Sequence, residues 1–299
     1  MSESPSFEPL VTVGVPVYNA ERYVAQSIEC LLAQTFRDFV IVISDNASTD
    51  RTGDICQQYA KHDPRIRYHR NDTNIGMPGN FNLTFQMARS KYFRWATADD
   101  YCDREMLQDA VERMESDPSL ALCYPRAIFV DESGKELFRW QDELHLMQDD
   151  PASRFRAVVT HIRKVHHHLG LMRSDCMRRT GMWARHVSSD MGFVAEMSLY
   201  GKFYQIDKYQ FFRRRHEGSS SWATADARHQ ARTYHASGVQ LVPFNRVRFH
   251  WRYVQAVRRS RIDLRARWGL YGFLMKFAAS EKRRIWRESL EDLRLLSTS

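Results

Sequence analysis

Two short runs of β-branched and apolar residues, LVTVGVPV at 10–17 and FVIVIS at 39–44, flank a stretch in which Tyr23, Ile28, Leu31 and Leu32 fall near one helical face. Runs that lack polar alternation read as strands buried on both faces. Strands buried in that way are parallel ones joined through crossover helices. The pattern then repeats. A helix through Ile55, Cys56 and Tyr59 leads to a short strand at 66–68. A loop at 71–79 and a helix from about 80 to 88 lead to a strand at 92–96. A helix at 106–114 leads to strands at 121–123 and 128–130, with 131–134 as a hairpin turn. This βαβαβ alternation predicts an α/β fold: a Rossmann-like, mostly parallel sheet with helices on both faces. Such sheets bind ligands outside the carboxyl ends of their strands, and Asp45 and Asp99-Asp100 sit at two such ends.

The second half is less regular. Residues 141–165 read as irregular to helical. Mixed structure returns at 166–216, with a helix near 190–201 and a strand near 203–212. From about 226 onward the pattern is helical, with basic and aromatic faces. The expected organisation is a catalytic domain at 1–222, with halves at about 10–131 and 132–222, and a helical extension at 223–299. The 299 residues are 43% hydrophobic and 27% charged, which supplies a large core and excludes a disordered chain.

Charge is distributed unevenly. Residues 225–299 carry 16 Lys+Arg against 6 Asp+Glu, a net of +10, whereas the whole chain is only +8. A uniformly basic nucleic-acid binder would not show this asymmetry, so no nucleic-acid partner is expected. The five cysteines are odd in number and include no C-x-x-C pair, so neither a disulfide framework nor a zinc ribbon is expected. The start MSESPSFEP has no apolar core typical of a signal peptide. The longest apolar run, WGLYGFLM at 268–275, is short of the ~20 residues that span a bilayer. A cytoplasmic location follows as the expectation.

Several polar groups fall where such a sheet presents a ligand. Asp99-Asp100 reads either as capping for the next helix or as carboxylate for a hard divalent cation that takes its other ligands from water and substrate phosphates. Asp45 reads as a cap or as an acceptor for a base N–H or a ribose hydroxyl. Asp190, after Ser188-Ser189, is either a capping residue or a general base at an acceptor hydroxyl. The run RRRHEGSSS at 213–221 follows a strand and ends in Gly and three Ser, which suits a loop closing over a diphosphate; a solvated face is the alternative. His166-His167-His168 suggest a metal by adjacency. Consecutive residues in an extended segment point to alternate faces, so an acceptor-site or core role for His167 or His168 is expected instead.

Taken together, these segments resemble the family 2 glycosyltransferases with the GT-A fold. The resemblance is carried by VGVPVYNAERYVAQSIECLLAQTF, VISDNASTDRT, NDTNIGMPGNFN, ATADD, SSDMGFVAEMSLYGKF and RRRHEGSSS, and covers about residues 10–221. It implies that Pro16, Tyr18 and Asn19 line a nucleotide pocket and that Asp45 meets a uracil-type base. It implies Asp100 and Ser219 at the nucleotide sugar, with Arg213 and Arg215 on the diphosphate. Asp99 and His216 are implied as ligands of a divalent metal, Mn2+ or Mg2+, and Asp190 as the residue that deprotonates the acceptor. Two positions depart from the pattern. Thr97 stands where the family's D-x-D has its first Asp, and Asn80-Phe81-Asn82 stand where many members have Ala-Arg-Asn, so Arg213 or Arg215 is expected to replace the missing arginine.

The implied activity is inverting transfer from a UDP- or dTDP-type nucleoside-diphosphate sugar to a hydroxyl of a saccharide or lipid-linked acceptor, in cell-surface polysaccharide biosynthesis. The rival readings are a GT-A-like nucleotide-binding module without catalysis, and a nicotinamide-dependent Rossmann enzyme. The second needs G-x-G-x-x-G after the first strand, where this chain reads VPVYNA. Residues 245–287, rich in Arg, Trp, Phe and Leu, read either as interfacial helices on an anionic membrane, peripheral on its inner face, or as a helical subdomain packed on the catalytic domain or forming a homodimer contact.

Overall fold

The computed structural model describes residues 8–141, 144–163, 166–216 and 244–297. Elements run β1 (Val11–Val17), α1 (Val24–Leu32), β2 (Phe39–Asp45), α2 (Thr52–His62), β3 (Ile66–Arg70), α3 (Met77–Gln86), β4 (Tyr92–Trp95), β5 (Tyr101–Cys102), α4 (Met106–Ser116), β6 (Leu120–Val130) and β7 (Glu136–Trp140). They continue with α5 (Pro151–His161), a 3-10 turn (His167–Leu169), β8 (Leu171–Arg173), α6 (Ser174–Arg178), α7 (Ser189–Met197) and β9 (Lys202–Arg214). Three helices close the described chain: α8 (Asn245–Arg259), α9 (Leu264–Ser280) and α10 (Lys282–Ser297).

The strands form one sheet in the order β3-β2-β1-β4-β8-β6-β9-β5, with β7 paired to β6. β3, β2, β1 and β4 are mutually parallel, as the buried apolar runs require. Beyond β4 the sheet is mixed: β8 is antiparallel to β4 and β6, β5 is antiparallel to β9, and β6 and β9 run parallel. With helices around it, this is the α/β arrangement expected from the sequence, mostly parallel in its first half and mixed in its second.

Two sequence expectations are corrected here. The runs at 121–123 and 128–130 are not separate strands but parts of the continuous 11-residue β6. Pro125 interrupts its pattern, and there the pairing with β9 jumps from Ile206 to Tyr209. Proline has no N–H for the ladder, so the partner strand bulges through Asp207 and Lys208. The short strands β5 and β8 were not expected, whereas β7 is the antiparallel partner that the hairpin turn at 131–134 implies. With two and three residues, β5 and β8 take their conformation from pairing rather than from a run of their own.

Each face of the sheet is covered. One core joins the first strands to α1, α2 and α4 through Val24, Ile28, Cys56, Met106 and Leu107. The other joins α3, α5 and α7 to the C-terminal helices through Phe81, Phe155, Phe193, Tyr253 and Leu270. Gly14 permits α3 to lie close on β1, since a Cβ there would stand 2.6 Å from the Thr84 hydroxyl and from the Phe93 ring. The α8 residues Phe249, Tyr253, Ala256 and Val257 are buried in one core with α5 and α7, so this part of the basic extension is packed on the rest of the chain. Among the described residues no helix is long and apolar enough to cross a membrane.

Candidate active site

The loops at the carboxyl ends of β1 and β2 are fastened to each other. The Asn19 N–H donates to Ser48 Oγ at 3.0 Å, the Thr49 N–H to Asn19 Oδ1 at 2.8 Å, and the Ala20 N–H to Thr52 Oγ1 at 2.7 Å. Asn19 and Ala47 both adopt left-handed backbone, with φ of 46° and 60°. Such residues persist only where surrounding contacts fix them. Pro16 is buried at the end of β1 and Tyr18 beside it is 48% exposed.

Asp45 ends β2 fully buried. Its carboxylate accepts from the Tyr68 hydroxyl at 2.7 Å, from Arg70 Nη1 at 2.5 Å and from the Ser48 N–H at 2.9 Å. With three partners and no exposed surface, the carboxylate fastens β2 to β3 and to the Ser48 loop, and the expected direct contact with a base is not open in this arrangement. Beside it lies an amide network. Asn46 Oδ1 accepts from Asn71 and from the Ile75 N–H, while Asn80 accepts from the Ser44 hydroxyl and donates to the Ser44 carbonyl.

At the end of β4 the backbone brings Asp99 to His216, 117 residues later in the chain. His216 Nε2 lies 3.0 Å from Asp99 Oδ2, and both side chains stay partly exposed, at 14% and 28%. The contact is a direct hydrogen bond between imidazole and carboxylate, two groups of the donor types that divalent cations accept. One carboxylate and one imidazole on an open rim fit a Mn2+- or Mg2+-type ion completed by water and diphosphate. Among the described residues no cluster of three or more His, Cys, Asp or Glu forms a closed metal cage. Ser219 lies outside the described residues.

Asp100 faces the other way. It is buried, and its carboxylate accepts from Thr97 Oγ1 at 2.5 Å and from the Arg214 N–H at 2.8 Å. Burial, with Asp99 adding to it, pushes its carboxyl up to about 7. The structure therefore makes Asp100 a fastening between the Asp99 loop and β9. Thr97 has a local reason as well: it donates to Asp100 where an Asp would set a second negative charge against it.

Arg214, which the sequence reading passed over between Arg213 and Arg215, is the bolt of this region. It is 3% exposed and donates to the carbonyls of Asp99 (3.0 Å) and Glu132 (2.7 Å) and to Gln26 Oε1 (2.6 Å). Its guanidinium also lies 4.7 Å from the centre of the Tyr23 ring. Alternation along the strand is the signal that separates it from its neighbours, because 213 and 215 lie on the face opposite 214.

Asp190 lies half-buried in the first turn of α7, and Oδ1 accepts the Met191 N–H at 2.9 Å. Burial raises its carboxyl, opposed by that N–H and by the charge of Arg213. The same Arg213 charge acts on Asp100 and on His168. Arg213 thus stands within electrostatic reach of both the Asp99-Asp100 loop and the head of α7, and links two groups far apart in sequence.

His167 and His168 are interior, 1% and 5% exposed. They form a 3-10 turn, not an extended segment, and so do not alternate between faces. His168 is boxed by Phe81, Trp95 and Trp183, with ring centres 5.0–6.4 Å away. Burial, then Arg213, holds its imidazole well below the usual range and so neutral. The segment Asn80-Phe81-Asn82 has a related task. Phe81 stacks on Trp183 at 4.3 Å, and the Asn82 side chain donates to the Trp183 carbonyl and accepts its N–H at 2.9 and 3.1 Å. Both contacts tie the first half of the chain to the loop that leads into α7.

The family model for glycosyl transferase family 2 matches residues 12–178. An uncharacterized glycosyltransferase of Methanocaldococcus jannaschii is 30% identical over 155 residues, 51% of this chain and 53% of the relative. Chondroitin synthase of Escherichia coli is 29% identical over 126 residues, 42% of this chain and 18% of that one. This chain therefore spans about half or less of the length of these relatives. Residues 1–349 of TarS of Staphylococcus aureus, solved in complex with UDP-GlcNAc, superpose with a TM-score of 0.64 at 16% identity, over 86% of this chain and 69% of that fragment, a likeness of fold. With a family model matching more than half of its length, on a sheet of the same architecture, the chain belongs to glycosyl transferase family 2.

Proposed function

We propose that the protein is an inverting glycosyltransferase. It moves a sugar from a UDP- or dTDP-type nucleoside-diphosphate sugar to a hydroxyl of a saccharide or lipid-linked acceptor in cell-surface polysaccharide biosynthesis. The catalytic unit runs through residue 222 and the extension from 223. The observation that carries this reading is the meeting of Asp99 and His216 at 3.0 Å on the rim that also bears the β1 and β2 loops. The complex of TarS with UDP-GlcNAc supports a uridine donor, and the likeness to chondroitin synthase supports a saccharide acceptor.

In this mechanism Pro16, Tyr18 and Asn19 border the nucleotide, and Asp45 lies beneath them, holding the β2 loop through Tyr68, Arg70 and the Ser48 N–H. Asp99 and His216 would hold a divalent cation, which would supply positive charge to the leaving diphosphate. Arg213 and Arg215 add charge-assisted hydrogen bonds to the phosphate oxygens. Asp190 takes the proton of the acceptor hydroxyl as its oxygen attacks the anomeric carbon from the face opposite the leaving group. An acceptor role is not carried forward for His167 and His168, whose rings are interior. Presentation of a lipid-linked acceptor would place the protein at the inner face of a membrane.

Replacement of Asp190 by Asn tests the assignment. Release of nucleoside diphosphate from the donor should fall by about 10²–10⁴-fold, the usual worth of a general base, while affinity for the nucleotide persists. Release at the wild-type rate would remove Asp190 from the chemistry.

A further inference from the structure

Helix α9 is apolar on two sides. Leu270 and Leu274 are buried against the domain. On the outward side Leu264, Trp268 and Met275 are 68%, 71% and 70% exposed, and Gly272 between them has nothing within 4 Å of a built Cβ. Positions 264, 268, 272, 275 and 279 recur at helical spacing, so they form one stripe. Trp286 and Leu293 on α10, 70% and 51% exposed and seven residues apart, make a second. An apolar helix face left in solvent marks an interaction surface.

Charge identifies what covers it. Residues 244–299 hold 14 Lys+Arg and 5 Asp+Glu. Of the acids whose side chains are described, Asp263 caps α9, and Glu281 and Glu288 are engaged by Arg246, His250 and Arg284. Arg261, Arg265, Lys276, Lys282, Arg283 and Arg287 are exposed and make no ion pair among the described residues. Arg265 and Lys276 border the α9 stripe directly. A second copy joined through a two-fold axis would press this basic face on itself. A negatively charged bilayer surface satisfies both features: tryptophan and leucine enter the headgroup boundary while arginine and lysine meet lipid phosphates.

We infer that the outward stripe of α9, with the adjoining face of α10, docks the protein on an anionic membrane. This deepens the membrane location proposed above, and it does not depend on the donor-site assignments.

Flotation of the full chain tests it, with vesicles of phosphatidylcholine alone or with about one third phosphatidylglycerol. The expected result is recovery with the anionic vesicles only, a shift of tryptophan emission to the blue, and release at about 0.5 M salt. Trp268→Ser with Met275→Ser, and separately Arg265→Glu with Lys276→Glu, should each reduce recovery at least about tenfold. All four residues are exposed, so melting temperature and UDP affinity should stay unchanged in both variants. That keeps failure of this surface distinguishable from failure of the donor site. Equal recovery with neutral and anionic vesicles would overturn the inference. So would no recovery with either, or dimers by light scattering in place of vesicle binding.

Discussion

At the scale of single residues, the site is built from carboxylates with different surroundings. Asp45 is satisfied by Tyr68, Arg70 and a backbone N–H, and Asp100 is turned inward under Thr97. Asp99 faces His216 on the rim, and Asp190 heads a helix with its carboxyl raised by burial and restrained by Arg213. The last pair gives a pH prediction. A base must be ionised, so activity rises as pH passes through the Asp190 pKa, which burial places above the ordinary aspartate value. Arg213 favours the ionised form. Arg213→Ala should therefore move the acid limb of the kcat/KM profile to higher pH, besides weakening donor binding. An acid limb at unchanged pH would show that Asp190 and Arg213 do not act together. Asp45, Asp99, Asp190 and His216 were legible as candidates in the sequence, because chemistry-bearing residues stood at strand and helix ends. Which of Asp99 and Asp100 faces out was not. That depends on Thr97 and on the Arg214 N–H, a contact 114 residues away in the chain.

At the scale of elements, parallel strands buried on both faces announced themselves as unbroken apolar runs. β5 and β8 did not, because their conformation comes from pairing. The histidine turn was misread as extended for a similar reason: its shape is set by burial against Tyr124, Trp95 and Trp183. The join between α7 and α8 was equally invisible. Glu196, fully buried, accepts from Arg259 Nε at 2.7 Å, from the Gly181 N–H at 3.0 Å and from Arg252 Nη2 at 3.2 Å. A Cβ at Gly192 would lie 2.5 Å from Arg252 Cγ, so α8 approaches α7 only because that position carries no side chain. Removing one partner of a buried ion pair typically costs about 3–5 kcal/mol. Glu196→Ala should lower unfolding stability by about that much in urea titration, and should loosen α7, whose first turn carries Asp190. A loss within the range of an exposed pair, about 1 kcal/mol or less, would show that α8 is not anchored through Glu196.

At the scale of the molecule, one sheet carries two halves, and residues from both meet on one rim. The first half supplies the loops after β1, β2 and β4. The second supplies β9, whose end brings Arg214 and His216 back to Asp99, and α7, which carries Asp190. The C-terminal helices complete the second core with α8 and the inner face of α9, and turn a basic, apolar surface outward. The uneven charge was plain in the sequence. How the helices divide between packing and exposure was not, because aromatic residues occur on both sides of them. The central claim is that Asp99 and His216 form a cation seat for a nucleoside diphosphate. Calorimetric titration of UDP into the wild-type protein and Asp99→Asn, each with and without Mn2+, tests it most directly. The account predicts that Mn2+ tightens UDP binding to the wild type at least about tenfold and leaves binding to Asp99→Asn unchanged. The same Mn2+ dependence in both proteins, or no binding of UDP to the wild type, would contradict it.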